Sequence, residues 1–348
     1  MQKNRANITA PALFLNAVFG VFFTVFIFAE FSSLADSARY LGGEYDPEKL
    51  YSRTHALIWV GYFLNKIFMF DILVNFFLSF CVAFSIYKLF KGIYFTQLER
   101  LAIYVVLYSP TFLVYSSIIG KELVVIVAAV GYFHALFVQK NSMFAVFFLL
   151  VIVFFRPHLS LAYAFFGLLF YRLSRSKIFF IEMLGVFLAF IVLCFIFYSD
   201  VLSVIETVIM PVSQRHFSLS SNTTRVIEEW NTVYDFIFNM YWGIPVQLLG
   251  PTFFESFNRP MFFVYFFYGI LLWVVSVCFT IRILFEKNIL KRYRAFFVAV
   301  VVLIIALILN YPLSLFNSGS SLRYVVNIYP IIFFMPLLFL KLHKSESN

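Results

Sequence analysis

Charged side chains stand in three short turns, each at the end of a long apolar run. The turns are Lys121-Glu122, Arg156-Pro157-His158 and Arg323-Tyr324. Arginine offers a planar fork to two phosphate oxygens, lysine offers a point charge, and histidine titrates near neutral pH. These residue types therefore suit the binding of a phosphate group.

Further polar residues could complete a site for group transfer. Asp36 follows the first apolar run, and Arg215, His216 and Arg225 lie in a long polar segment further on. A cationic clamp stabilises the charge that develops on a phosphate leaving group, while a carboxylate takes the proton of an attacking hydroxyl. The same residue types could line a transport path, so composition leaves transfer and transport open.

A simpler interpretation applies to each cation taken singly. Long basic side chains at the end of a membrane span can reach the lipid headgroups while their stems stay in the apolar layer. Arg156 and Lys121 could each do so. We expect instead that the three turns converge on one face of the membrane, because all of them lie at the same end of their spans.

The segments that must position these residues are long and apolar. Hydrophobic residues make up 63% of 348 positions, charged residues 12%, and the mean hydropathy is +0.92. This leaves too little polar surface for a water-soluble globule. Runs of about 18 apolar residues can cross roughly 30 Å of hydrocarbon as helices. The sequence predicts an all-α, polytopic membrane bundle in a single domain, 1–348, with about ten transmembrane helices: 11–31, 56–87, 101–118, 123–138, 143–157, 159–171, 178–198, 260–281, 295–313 and 324–340. The second run is too long for one span and is expected to break near residue 67.

Basic residues predict the orientation of the bundle. With both termini in the cytoplasm, 16 of the 26 lysines and arginines lie on the cytoplasmic side, as the positive-inside rule requires. Two longer periplasmic loops result, 30–55 and 199–259, and the second carries an amphipathic helix predicted over Thr223–Phe238. The net charge of +9 is then a sign of topology, and no nucleic-acid partner is expected. The three cysteines lie within apolar spans, so neither a metal site nor a cofactor is predicted.

Short motifs resemble those of bacterial membrane glycosyltransferases. The segment from Leu34 to Leu41, which contains Asp36, looks like the acidic first-loop signature of GT-C type enzymes. The segments Ser109–Glu122, Phe155–His158 and Arg323–Pro330 are similar, in order and placement, to a pattern of membrane proteins from bacterial polysaccharide clusters. Two families fit: the O-antigen or capsule repeat-unit polymerases of Wzy type, and GT-C transferases that use a polyprenyl-phosphate sugar. Asp36 is followed by Ser37, without the second acid of typical GT-C enzymes, which puts metal-dependent catalysis in doubt.

The resemblance implies a multi-pass protein of the bacterial inner membrane. Its expected activity is the polymerisation of polyprenyl-pyrophosphate-linked repeat units at the periplasmic face, with membrane lipid and a chain-length regulator protein as partners. The roles it implies are catalytic for Asp36, Arg156 and His158. The expected phosphate-binding and substrate-binding residues are Lys121, Glu122, Arg215, Arg225, Arg323 and Tyr324. The alternatives are a GT-C transferase and, in another class, a lipid-linked oligosaccharide flippase or transporter; a structural assembly protein has weaker support.

Overall fold

The computed structural model describes residues 7–31, 35–44, 46–49, 51–175, 179–209, 232–258, 261–285, 289–314 and 318–342. Most residues in these ranges are helical, and the ranges contain no β-strand. The helices that matter below are α1 (Ala10–Phe28), α2 (Ala35–Gly42), α3 (Arg53–Phe68), α4 (Asp71–Phe90), α5 (Gln97–Leu107), α6 (Pro110–Ser117), α7 (Lys121–Gln139), α8 (Ser142–Phe155), α9 (Pro157–Arg175), α10 (Phe179–Ile196), α11 (Tyr198–Val204), α12 (Val233–Phe238), α13 (Met240–Leu249), α14 (Phe253–Asn258), α15 (Met261–Ile283), α16 (Ile289–Ser314), α17 (Ser318–Val325) and α18 (Met335–Leu342).

The described helices include five that are long and apolar enough to cross a membrane, or seven if each of two bent pairs counts as one span. The five are α1, α4, α7, α15 and the segment Tyr293–Leu313 of α16. The helix α8 has 14 residues, which at 1.5 Å per residue is about 21 Å and shorter than the hydrocarbon core. The all-helical membrane fold is confirmed, and the count of ten spans is not.

The chain forms two compact units. The first contains residues 1–161, 274–276 and 326–348. In it α1 packs along α4 and α6, and small polar residues line their contact. The Ser79 hydroxyl donates to the Ala17 carbonyl over 3.3 Å, and a Cβ on Gly20 would lie 2.7 Å from Oγ of Ser117. Small residues let helix backbones approach closely, which is how membrane helices associate without a hydrophobic driving force between them.

The second predicted run is interrupted where the sequence indicated. The helix α3 ends at Phe68, Met69 adopts a left-handed conformation with φ 62°, and α4 begins at Asp71. The short helix α2 packs against α3, and a Cβ on Gly61 would come within 2.2 Å of the Tyr40 carbonyl oxygen. Only glycine permits this approach, which lets α2 pack closely against α3.

Two predicted spans are bent rather than straight. The axes of α5 and α6 differ by 58° across Tyr108 and Ser109, and the segments Ser321–Ile328 and Pro330–Lys341 differ by 43°. A proline stands at the start of each second segment, where its missing N–H breaks the helical hydrogen-bond ladder. The two bends meet within the first unit, because the rings of Phe112 and Tyr329 stack with centroids 6.4 Å apart.

A buried ion pair fixes the last helix of the first unit. Thr96 and Glu99 form a capping box at the start of α5, and the Glu99 carboxylate also pairs with Lys341 of α18. The side chains of Glu99 and Lys341 are 2% and 8% exposed. The Lys341 ammonium also lies over the ring of Phe95, with the nitrogen 5.5 Å from the ring centroid.

The second unit contains residues 162–273 and 277–325. Here α13 packs against α16 and α17, and buried amides join it to α16: Gln247 donates to the Leu307 carbonyl over 2.9 Å, and Asn310 donates to Oε1 of Gln247 over 3.0 Å. The predicted loop 199–259 is therefore mostly helical in its described parts, 199–209 and 232–258.

The amphipathic helix predicted over Thr223–Phe238 does not run unbroken. Thr232 has extended backbone and caps α12 through Asp235, so the helix begins at Val233. A capping residue has non-helical angles, which ends any helix that would arrive from its N-terminal side. The first part of the predicted helix lies outside the described residues.

Candidate anion-binding site

Three helices of the first unit begin at one place. They are α3, which starts at Arg53, α7, which starts at Lys121, and α9, which starts at Pro157. The Lys121 ammonium donates to the Thr54 hydroxyl over 3.2 Å, which joins the first turns of α3 and α7. The Arg156 guanidinium donates to the Glu122 carboxylate, which joins α7 to the start of α9. Helix N-termini carry partial positive charge and unpaired backbone N–H groups, so this convergence favours an anion.

Local sequence explains why each helix begins at this point. Gly120 precedes α7 in a fully extended conformation, and a Cβ there would lie 3.0 Å from Oε2 of Glu122. Arg156 has φ −142° and ψ 71°, outside the helical region that a following proline disfavours, and its carbonyl accepts from the backbone N–H groups of Leu159 and Ser160. Pro157 then occupies the first helical position, where its fixed φ suits the helix and no N–H is needed.

The ion pair between Glu122 and Arg156 is buried. Their side chains are 3% and 10% exposed. An isolated charge at such a position would be costly, so each of these two residues depends on the other for compensation. Arg156 therefore has a protein carboxylate as its partner and does not extend to the lipid headgroups, which removes the simpler interpretation for this residue.

His158 lies in the first turn of α9 and is neutral at pH 7. Burial, together with the positive charges of Arg156 and Arg53, lowers the pKa of His158 from 6.5 to about 3. Its Nε2 atom is buried and has no hydrogen-bond partner among the described residues. A neutral imidazole at this position could form a hydrogen bond with a ligand oxygen.

The sequence analysis missed Arg53 and Thr54. The sequence predicts that the second apolar run starts at residue 56, which puts both residues in the predicted first loop. Arg53 is the first residue of α3. Its side chain is exposed and forms no ion pair with any described residue. A signal was present in the sequence: Arg53-Thr54-His55 repeats the spacing of Arg156-Pro157-His158, and both triplets stand directly before an apolar run.

The structure brings Lys121, Glu122, Arg156 and His158 together. Asp36 lies on α2, the helix on which Tyr40 lies beside Gly61 of α3. Arg323 and Tyr324 lie on α17 of the second unit, and Arg215 and Arg225 lie outside the described residues.

The fold and the spans define a multi-pass membrane protein. No protein-family model matches the chain, and comparisons with curated proteins and with solved structures find no similar protein. The family resemblance stays a hypothesis, and the convergent helix starts are the strongest guide to function.

Proposed function

We propose that the chain is a bacterial inner-membrane glycosyltransferase. Its reaction is the polymerisation of polyprenyl-pyrophosphate-linked oligosaccharide repeat units at the periplasmic face, in O-antigen or capsule biosynthesis. The observation that carries the proposal is the meeting of Arg53, Lys121 and the Glu122–Arg156 pair at three helix N-termini of a membrane protein. A lipid-linked pyrophosphate is an anion that reaches such a site from the membrane.

In this reaction a sugar hydroxyl of one repeat unit attacks the anomeric carbon of the other chain. The bond from that carbon to the carrier pyrophosphate breaks, a glycosidic bond forms, and the pyrophosphate leaves with the electron pair. Cations and helix N-termini that face the departing oxygens would stabilise this charge. The hydroxyl proton needs an acceptor, and Asp36 on α2 is the carboxylate that we expect to take it or to position the acceptor sugar.

A lipid-linked oligosaccharide flippase or transporter is the second candidate. The observation that favours it is the pair of bent helices, α5–α6 and Ser321–Lys341, whose bends meet at Phe112 and Tyr329. Discontinuous helices with facing breaks are typical of binding sites in transporters. A GT-C transferase that uses a polyprenyl-phosphate sugar would share the site proposed for the polymerase.

Lipid-linked intermediates distinguish these functions. In the native host, deletion of the gene should leave single repeat units on the carrier at the periplasmic face if the protein is the polymerase. A flippase deletion should leave the same units on the cytoplasmic face, and a transferase deletion should leave a unit that lacks one sugar. Wild-type amounts of polymer in the deletion strain would contradict the proposed function.

The proposal also requires that both termini lie in the cytoplasm and that the start of α3 lies in the periplasm. Reporter fusions test it. Fusions after Lys91, Lys177 and Arg294 should report cytoplasm, whereas fusions near Glu48 and Ser318 should report periplasm. A cytoplasmic signal near Glu48 would place the start of α3, and with it the cluster, on the wrong side of the membrane.

A further inference from the structure

Two matching turns meet at the cluster. Arg53-Thr54-His55 opens α3, and Arg156-Pro157-His158 opens α9. In each turn the imidazole has one buried ring nitrogen that finds no hydrogen-bond partner among the described residues: Nδ1 of His55 and Nε2 of His158. Buried polar atoms are normally paired, and His158 lies close enough to Arg53 and Arg156 for both charges to lower its pKa, so its Nε2 atom is a group of the cluster that can bind a ligand.

The two arginines differ in whether a described carboxylate neutralises their charge. Arg156 is buried and paired with Glu122. Arg53 is exposed and has no carboxylate partner in the described part of the chain, while Thr54 beside it accepts a hydrogen bond from Lys121. The N-terminal turns of α3, α7 and α9 add further positive potential. The exposed side of the cluster is thus the side that can still take up an anion.

We propose that the two Arg-x-His turns and the first turn of α7 form a phosphate subsite. Arg53 and Lys121 contact the phosphate oxygens directly, and the imidazoles of His55 and His158 complete the hydrogen bonding. Arg156 is a positioning residue, which Glu122 fixes so that the start of α9 stays against α7. The identity of the ligand as the pyrophosphate of a lipid-linked saccharide rests on the proposed function, whereas the phosphate chemistry does not.

Binding of inorganic pyrophosphate tests the subsite. The full chain in nanodiscs is titrated with pyrophosphate at low ionic strength by calorimetry. Arg53→Gln should weaken binding about tenfold, since it removes charged hydrogen bonds to the ligand. Arg39→Gln is the matched control on the neighbouring helix α2: it makes the same change in charge, also at an exposed position, and should leave affinity within about twofold. Equal affinity in Arg53→Gln and the wild type would overturn the subsite.

The role of Arg156 is tested by a conservative variant. Arg156→Lys keeps a positive partner for Glu122 and should bind pyrophosphate about as well as the wild type. Arg156→Gln removes the positive partner of the Glu122 carboxylate and should bind pyrophosphate several-fold more weakly. Equal losses in both variants would mean that the guanidinium itself holds the ligand, and the positioning role would be refuted.

Two ligands and two readouts separate this inference from the proposed function. Farnesyl pyrophosphate should bind more tightly than inorganic pyrophosphate if the ligand is lipid-linked; equal affinities would keep the subsite and contradict the lipid-linked ligand. If Arg53→Gln loses pyrophosphate binding and polymer synthesis in the host is unchanged, the subsite stands and the proposed function fails. If deletion of the gene abolishes the polymer while Arg53→Gln binds normally, the function stands and the subsite fails.

Discussion

Breaking the Glu122–Arg156 ion pair should destabilise the first unit strongly. The two side chains are 3% and 10% exposed, so removal of one partner leaves the other charge inside the protein. Loss of one member of a buried pair typically costs about 3–5 kcal/mol. Glu122→Ala and Arg156→Ala are each expected to lower the free energy of unfolding by about 3 kcal/mol or more. The double variant Glu122→Leu/Arg156→Met should lose less stability than either single variant, because neither charge of this pair remains.

Unfolding by SDS in mixed micelles, followed by circular dichroism, measures these free energies. The matched control is the exposed pair of Asp46 and Lys49, whose side chains are 31% and 56% exposed at a distance of 2.6 Å. Lys49→Ala should change stability by less than about 1 kcal/mol, as exposed pairs usually do. Two results together would refute the view that Glu122 and Arg156 compensate each other. The single variants of the buried pair would lose no more stability than Lys49→Ala, and their effects would add in the double variant.

Three further predictions concern packing, pH and the last helix. Gly61→Ala should disrupt the pairing of α2 with α3 and lower thermal stability, whereas Gly42→Ala on α2 meets no atom within 4 Å and should be tolerated; equal melting temperatures would contradict the close approach. Because the pKa of His158 is lowered to about 3, the unfolded chain alone takes up a proton as pH falls below about 6.5, so stability should fall by up to about 1.4 kcal/mol per pH unit toward pH 3. His158→Asn should flatten this part of the stability profile, and an unchanged slope would show that the imidazole does not stay neutral. Lys341→Ala should leave the buried Glu99 carboxylate without its lysine and destabilise the chain by about 3 kcal/mol, a loss that Lys341→Arg should largely restore in the same SDS titration.

Most helices could be located from the sequence because lipid requires long apolar runs. The break between α3 and α4 was also foreseen, since the run was too long for one span and contained Lys66 and Asp71. The sequence does not predict the bend at Ser109. Pro110 fits the first position of a straight helix as well as the bend between two helices, so the proline alone does not distinguish the two. The predicted ten spans counted short runs such as α8 as crossings, and the structure makes that helix too short to cross alone.

The candidate site was predictable in part. The sequence predicts four of the site residues because each charge or imidazole lies at the end of an apolar run: Lys121, Glu122, Arg156 and His158. Their pairing could not be read from the sequence, since the contact of Glu122 with Arg156 joins positions 34 residues apart. The contribution of Arg53 was hidden for a similar reason: the start of α3 meets α7 only through tertiary packing. The same limit applies to Asp36, whose position depends on the close approach of α2 to Gly61.

Reconstitution of polymer synthesis tests the proposed polymerase and its phosphate subsite most directly. The purified chain in liposomes is supplied with the lipid-linked saccharide extracted from the deletion strain, and the products are separated by length. We expect a ladder of products longer than one repeat unit, formed about tenfold more slowly by Arg53→Gln and at the wild-type rate by Arg39→Gln. Single units that cross the bilayer without growing in length would contradict polymerisation and indicate transport.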